Sequence, residues 1–157
     1  MAIEIERKFL VAHDDWRSGA TDGVLYRQGY LSRHANRSVR VRIAGDRAWL
    51  TTKGIISDLS RHEFEYAIPV EDAEQMLEKM CIKSLIEKTR YLVFFAGCTW
   101  EVDEFSGENA GLVIAEIELD SEDQEVALPA WLGTEVTDDL RYRNVNLVKQ
   151  PFSTWTR

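Results

Sequence analysis

A chain of 157 residues with 45% hydrophobic and 29% charged residues is long enough to bury the core of one domain, and we expect a single domain over residues 1–157. The net charge of −8, with no run of Lys or Arg, argues against binding to nucleic acid or to an anionic membrane surface. Cys81 and Cys98 form neither a zinc motif nor a disulfide framework, and no apolar run suits a signal peptide or a membrane span, so we expect a cytoplasmic protein.

The first predicted strand, residues 2–11, alternates charged and apolar side chains. Successive side chains of a strand point to opposite faces, so Glu4, Glu6 and Lys8 share one face while the other face is apolar. On a single strand, such a charged face usually contacts solvent. Later strands repeat the alternation with nearly pure carboxylate or cation pairs spaced by two residues. We therefore predict that these charged faces point towards each other.

The elements that follow are mainly strands joined in hairpins. After a short helical turn at 13–17 and a loop at 19–23, we predict strands at 24–34, 39–43, 48–53, 61–68, 84–96, 99–106 and 112–119. Gly29 indicates a bulge in the first of these, and Gly45 with Asp46 indicates a hairpin turn. Residues 54–60 form a loop, either a plain connection or a lip over a ligand.

Helical patterns are confined to three segments. The clearest covers residues 70–83, where apolar residues recur at spacings of three and four, and we expect this helix to cover the apolar outside of the sheet. In the tail, residues 129–132 indicate a helical turn. Residues 140–148 indicate a short helix with Leu140, Leu147 and Val148 packed inward.

The charged faces hold eight acids and seven bases, namely Glu4, Glu6, Glu63, Glu65, Glu101, Asp103, Glu116 and Glu118 with Lys8, Arg40, Arg42, Lys53, Arg61, Lys88 and Arg90. If the strands close into an antiparallel barrel, these groups converge on a polar lumen and the apolar faces point outward beneath helices. Buried charges need partners, so the lumen must be wet and must hold something.

Clustered Arg and Lys suit phosphate oxygens, and the E-x-E pairs offer hard oxygen ligands for Mg²⁺ or Mn²⁺. A polyphosphate with its metal fits a site that has both, although an internal network of salt bridges without a ligand is the alternative. The separate positions of His13, His34 and His62 argue against a zinc or catalytic role, and no P-loop or Rossmann glycine motif is present.

Residues 4–8, EIERK, match the E-x-E-x-K signature of the CYTH superfamily, the triphosphate tunnel metalloenzymes. Further segments that resemble this family follow in order at 28–31, 39–42, 52–54, 61–65, 88–91, 100–103 and 115–118. The resemblance covers about residues 2–119 and is strongest to the short bacterial inorganic triphosphatases. It implies a mainly β (α+β) fold, an eight-stranded antiparallel β-barrel or tunnel with a charged lumen and a few helices outside.

The resemblance also implies residue roles. Phosphate oxygens would contact Lys8, Arg40, Arg42, Lys53, Lys88 and Arg90, to which we add Arg61. Divalent metal, Mg²⁺ or Mn²⁺, would bind Glu4, Glu6, Glu116 and Glu118, with Glu63, Glu65 and Asp103 as nearby ligands or partners. Lys8 with Tyr30 resembles a dyad that assists the leaving group, and we count both as catalytic together with Glu4 and Glu6.

The expected reaction is hydrolysis of a small-molecule triphosphate, tripolyphosphate to pyrophosphate and phosphate, without a nucleic-acid or membrane partner. A class IV adenylyl cyclase, a thiamine triphosphatase and a non-catalytic polyphosphate-binding module are the alternatives. The oligomeric state stays open, with a homodimer as one option.

Overall fold

The structure, a computed structural model, describes residues 2–34 and 36–155. Residues 1, 35, 156 and 157 of the predicted domain lie outside the described residues. The strands are β1 (Ile3–Val11), β2 (Val24–Arg33), β3 (Arg37–Ala44), β4 (Arg47–Ile55), β5 (Ser60–Ile68), β6 (Ile82–Phe95), β7 (Cys98–Phe105), β8 (Val113–Glu118) and β9 (Leu132–Glu135). The α-helices are α1 (Val70–Lys79) and α2 (Asn144–Lys149), and 3₁₀ turns cover Asp14–Gly19, Gly107–Asn109, Leu140–Tyr142 and Phe152–Thr154.

Eight strands close into an antiparallel barrel in the order β5-β4-β3-β2-β6-β7-β8-β1, with β1 also paired to β5. Strand β1 closes the ring because its first residues, Ile3 to Ile5, pair with β5 and its later residues pair with β8. Residues directly opposite each other in neighbouring strands share a face, so the charged faces all turn inward. The predicted eight-stranded barrel with a charged lumen is confirmed.

Helix α1 covers the outer face of β3 and β4, as its spacing predicts. Its Ala73 and Leu77 are fully buried and pack with Val41 and Ile43 of β3. The helix ends at Lys79 rather than at residue 83, so the predicted C-terminal end is wrong. The chain leaves the helix early because Ile82 already pairs with β2.

The lumen is apolar at one end, which the sequence analysis missed when it placed all apolar faces outside. Ile86 of β6 lies opposite Gln28, which in turn lies opposite the lumen residue Arg42, so Ile86 faces inward. It is buried against Leu147 and Val148 of α2. Helix α2 therefore closes this end of the tunnel from inside.

Two other expectations for the tail are wrong. Leu140 does not pack inward but is 53% exposed in the 3₁₀ turn before α2. The predicted helical turn at 129–132 gives way to strand β9, which pairs with Phe9 and Val11 of β1. That pairing exists because β5 contacts only the first residues of β1, which leaves an open strand edge for β9 to cover.

The bulge at Gly29 is confirmed, because the pairing of β2 with β6 shifts register between Gln28 and Tyr30. A Cβ atom at Gly29 would lie 2.7 Å from Leu85 Cδ2, so the close approach of the strands requires glycine. Beyond the bulge, Tyr30 lies opposite Arg40 and faces the lumen. Across the described residues, no helix has the length and apolar character that a bilayer crossing requires.

Candidate active site

Two adjoining cavities occupy the lumen. The tunnel cavity has about 660 Å³ of empty space, open solvent included, and its predicted lining residues are Glu4, Glu6, Arg40, Arg42, Lys53, Glu63, Glu65, Arg90, Glu116 and Glu118. The mouth cavity, with about 540 Å³, is lined by the predicted Lys8, Tyr30 and Arg61 and shares Glu6, Arg40 and Lys53 with the tunnel cavity. The inward faces of distant strands thus meet in one continuous site.

Buried cation pairs back one wall of the tunnel. Lys88 and Asp103 line neither cavity and are 0% and 1% exposed, with Lys88 Nζ 2.7 Å from Asp103 Oδ2. Arg90 donates to both oxygens of Asp103, at 2.8 and 2.9 Å. Burial raises the pKa of the Asp103 carboxyl, but Arg90 and Lys88 outweigh it and hold that pKa well below its usual range. Burial lowers the pKa of Lys88 to about 7, opposed by Asp103 and aided by Arg90.

The opposite part of the wall also carries ion pairs. Lys53 Nζ lies 3.0 Å from Glu4 and 3.3 Å from Glu63, and Arg61 lies 3.4 Å from Glu6. Burial and Arg40 lower the pKa of Lys53, but the neighbouring carboxylates outweigh them and the pKa is raised. The alternative of an internal salt-bridge network is therefore realised for part of the charges.

Other charges stay unmatched within residues 2–34 and 36–155. Glu116 and Glu118 have no cation within 4.0 Å, and Arg42 has no carboxylate within that distance. Burial and Glu6 raise the pKa of Glu116, and burial with Glu4 raises that of Glu118. Burial, Arg40 and Arg90 lower the pKa of Arg42 to about 10. Since β3 and β8 are four strands apart in the ring of eight, excess acid faces excess base across the tunnel.

Polar neighbours of the predicted residues escaped the sequence analysis. Arg42 Nε donates to Gln28 Oε1 at 2.8 Å, and the guanidinium groups of Arg42 and Arg90 lie 4.9 and 4.8 Å from the ring centre of Tyr26. Glu101 also lines the tunnel cavity. Its alternation with Trp100 had placed it on the charged face, and its position opposite Glu116 makes it a site residue.

Arg143 and Asn144 join the site from the C-terminal segment. Arg143 lines the mouth cavity, and Asn144 lines both cavities. Neither lies in a strand with alternating charge or in a matched motif, so no sequence signal marked them. They reach the tunnel because α2 packs into its apolar end.

The donor set of the acidic wall fits a divalent cation. In the part of the chain that the structure describes, no three or more His, Cys, Asp or Glu side chains lie close enough to form a ready-made metal site. However, Glu6 lies opposite Glu118, and Glu101 lies opposite Glu116. Such pairs of carboxylates repel each other and offer the oxygen ligands that Mg²⁺ and Mn²⁺ prefer.

Fold and site together define a class of protein, a closed antiparallel β-barrel whose tunnel opposes an acidic wall to a basic wall. The chain belongs to the CYTH domain family, whose sequence model matches residues 2–152.

Its similarity to individual relatives extends over nearly the whole chain. It is 55% identical over 152 residues to an inorganic triphosphatase of Acetivibrio thermocellus, covering 97% of each chain. It is 40% identical over 145 residues to an inorganic triphosphatase of Nitrosomonas europaea, covering 90% of this chain and 93% of the relative. The crystal structure of the inorganic triphosphatase NE1496 superposes with a TM-score of 0.67 and 37% identity, covering 94% of this chain and 95% of that one.

Proposed function

We propose that this chain hydrolyses inorganic tripolyphosphate to pyrophosphate and phosphate with Mg²⁺ or Mn²⁺. The observation that carries the proposal is the unmatched charge, with Glu116 and Glu118 facing Arg42 across a closed tunnel. A self-satisfied network would pair these groups, whereas a polyanion bound with a metal satisfies both walls at once. The relatives described as inorganic triphosphatases support the same reaction.

The basic groups that line the cavities would bind and polarise the phosphate chain, and they are Lys8, Arg40, Arg42, Lys53, Arg61 and Arg90. They would stabilise the negative charge that grows on the leaving pyrophosphate in the transition state. Lys8 and Tyr30 lie together in the mouth cavity, where they would act at the leaving group. Lys88 and Asp103 would position Arg90 from behind the wall rather than contact the substrate.

Glu116 and Glu118, with Glu4 and Glu6, would hold the metal. A bound divalent ion neutralises phosphate charge and lowers the pKa of a coordinated water. Glu63 and Glu65 lie within 4.0 Å of Lys53 and Arg40, so they would set the direction of those cations as well as serve as nearby ligands.

Phosphate release from tripolyphosphate, thiamine triphosphate and ATP, measured side by side with Mg²⁺ and with Mn²⁺, tests the proposal. We expect tripolyphosphate to give the highest kcat/KM. Cyclic AMP as the main product from ATP would instead identify a cyclase. Tight binding without turnover of any triphosphate would identify a polyphosphate-binding module.

Replacing Lys8 by Ala should lower kcat about a hundredfold while KM changes much less, because a contact to the leaving group strengthens mainly in the transition state. Steady-state kinetics with tripolyphosphate measures both constants. Lys79→Ala, an exposed lysine of α1, is the matched control and should leave both unchanged. A raised KM with an unchanged kcat would assign Lys8 to substrate binding alone.

Replacing Glu116 by Gln should raise the Mg²⁺ concentration for half-maximal activity about tenfold, because a carboxylate ligand is lost. Without metal, a raised carboxyl pKa means that the folded state favours the protonated form. The stability contributed by protonated Glu116 is therefore present at acid pH and lost as pH rises through the raised pKa. Melting of metal-free protein should show this loss in the wild type but less of it in the variant.

Glu71→Gln, an exposed glutamate of α1, removes the same charge outside the tunnel and serves as the control. An identical Mg²⁺ titration for Glu116→Gln and Glu71→Gln would exclude Glu116 from the metal site.

A further inference from the structure

Arg143 stands out among the tunnel cations because it comes from the C-terminal segment and not from the barrel wall. It lies between the 3₁₀ turn Leu140–Tyr142 and helix α2. Its backbone is held at both sides, since its N–H donates to Leu140 O at 3.2 Å and its carbonyl accepts from Leu147 N at 3.0 Å. From this fixed position the side chain lines the mouth cavity together with Lys8 and Arg61.

The guanidinium of Arg143 has no protein partner in the described part of the chain. Its Nε is buried without a hydrogen bond, and no carboxylate lies within 4.0 Å of it. Arg61, by contrast, lies 3.4 Å from Glu6. Burial and the neighbouring charge of Arg61 lower the pKa of Arg143, against the weaker pull of Asp58. A half-buried cation beside a second cation is unfavourable unless an anion joins them.

The residues on either side of Arg143 also face the site. Asn144 lines both cavities, and its Oδ1 is buried without a hydrogen-bond partner among the described residues. Lys8 Nζ donates to the carbonyl oxygen of Tyr142 at 3.2 Å. The segment 142–144 therefore places a free guanidinium beside the residue that we assign to the leaving group.

We propose that Arg143 is a further substrate-binding residue, whose guanidinium holds phosphate oxygens at the end of the substrate next to Lys8. This inference rests on the proposed function and extends it, because it gives the C-terminal segment a direct share in binding. Arginine suits the task since its planar group can donate two parallel hydrogen bonds to one phosphate. Helix α2 anchors it, because Leu147 and Val148 are buried in the apolar end of the lumen.

The test compares Arg143→Gln, Arg143→Lys and Lys149→Gln, the last being an exposed lysine of the same helix outside both cavities. For Arg143→Gln we expect KM for tripolyphosphate to rise about tenfold with kcat within threefold, as for loss of a charged hydrogen bond. Arg143→Lys should recover part of this loss, because it keeps the charge without the fork. Lys149→Gln should behave as wild type.

Calorimetric titration with metal-free tripolyphosphate separates this inference from the proposed function, because it reads binding without turnover. A weaker Kd for Arg143→Gln supports the inference even if the wild type proves not to hydrolyse tripolyphosphate. Unchanged KM and Kd in Arg143→Gln would overturn it. So would an equal loss in the Gln and Lys variants together with a lowered melting temperature in both, which would indicate a packing role for the arginine.

Discussion

Replacing Asp103 by Asn should lower the melting temperature by about 10 °C. The carboxylate is buried between Lys88 and Arg90, and its removal leaves the fully buried ammonium of Lys88 without its counter-charge. Breaking a buried ion pair costs about 3–5 kcal/mol, and each kcal/mol shifts the melting temperature by about 2–4 °C in a chain of this size. Differential scanning calorimetry in the absence of ligand measures the shift.

The loss should also depend on pH. Without Asp103, burial lowers the pKa of Lys88, so the unfolded chain binds a proton at this lysine that the folded chain does not. Stability of the variant should therefore recover in part as pH rises from about 7 to about 10, the usual range of a lysine. No recovery would mean that the lysine finds another partner or water.

Glu104→Gln provides the matched control on the next residue. It breaks an ion pair with Arg17 that has the same 2.8 Å reach but lies at the surface. Exposed pairs contribute little, so this variant should melt within about 2 °C of the wild type. Equal melting of Asp103→Asn and Glu104→Gln would show that the charges behind the tunnel wall are solvated.

Replacing Arg40 and Arg42 together by Gln should abolish the stabilisation by substrate. A ligand that binds only the folded state stabilises it by about 2.7 kcal/mol at a hundredfold excess over Kd, which corresponds to about 5–10 °C. Both arginines line the tunnel cavity, and Arg42 has no carboxylate partner within 4.0 Å among the described residues. The wild type with tripolyphosphate and Mg²⁺ should show this shift, and the double variant should not.

The unliganded double variant should stay folded, because the repulsion between Arg42 and its cationic neighbours disappears while Arg40 loses only a 3.6 Å contact to Glu65. Arg47→Gln with Lys79→Gln, two exposed cations, should keep the full ligand shift. An unfolded double variant, combined with no shift for the wild type, would identify the charges as a structural network and contradict the triphosphatase proposal.

The local sequence determined which side chains enter the tunnel. The alternation of charge along β1, β3 and β8 has a period of two, and that period is a property of each strand by itself. For the same reason the apolar stripe of α1 was visible before its partner strands were known. The turn at Gly45, with φ of +61°, was also predictable, because the left-handed backbone of this turn favours glycine.

Only the tertiary structure decided which charges pair and which stay free. Lys88 and Arg42 have the same place in the alternating pattern, yet Lys88 is neutralised by Asp103 and Arg42 faces the cavity without an acid. These outcomes depend on register between strands that are distant in the chain.

The C-terminal segment was the least predictable part. Strand β9 has four residues and α2 has six, too few to show a hydrophobic period. Their positions follow from the open edge of β1 and the apolar end of the lumen, which exist only after the barrel has closed. Arg143 and Asn144 are carried into the site with them, and no local preference of the chain could have placed them there.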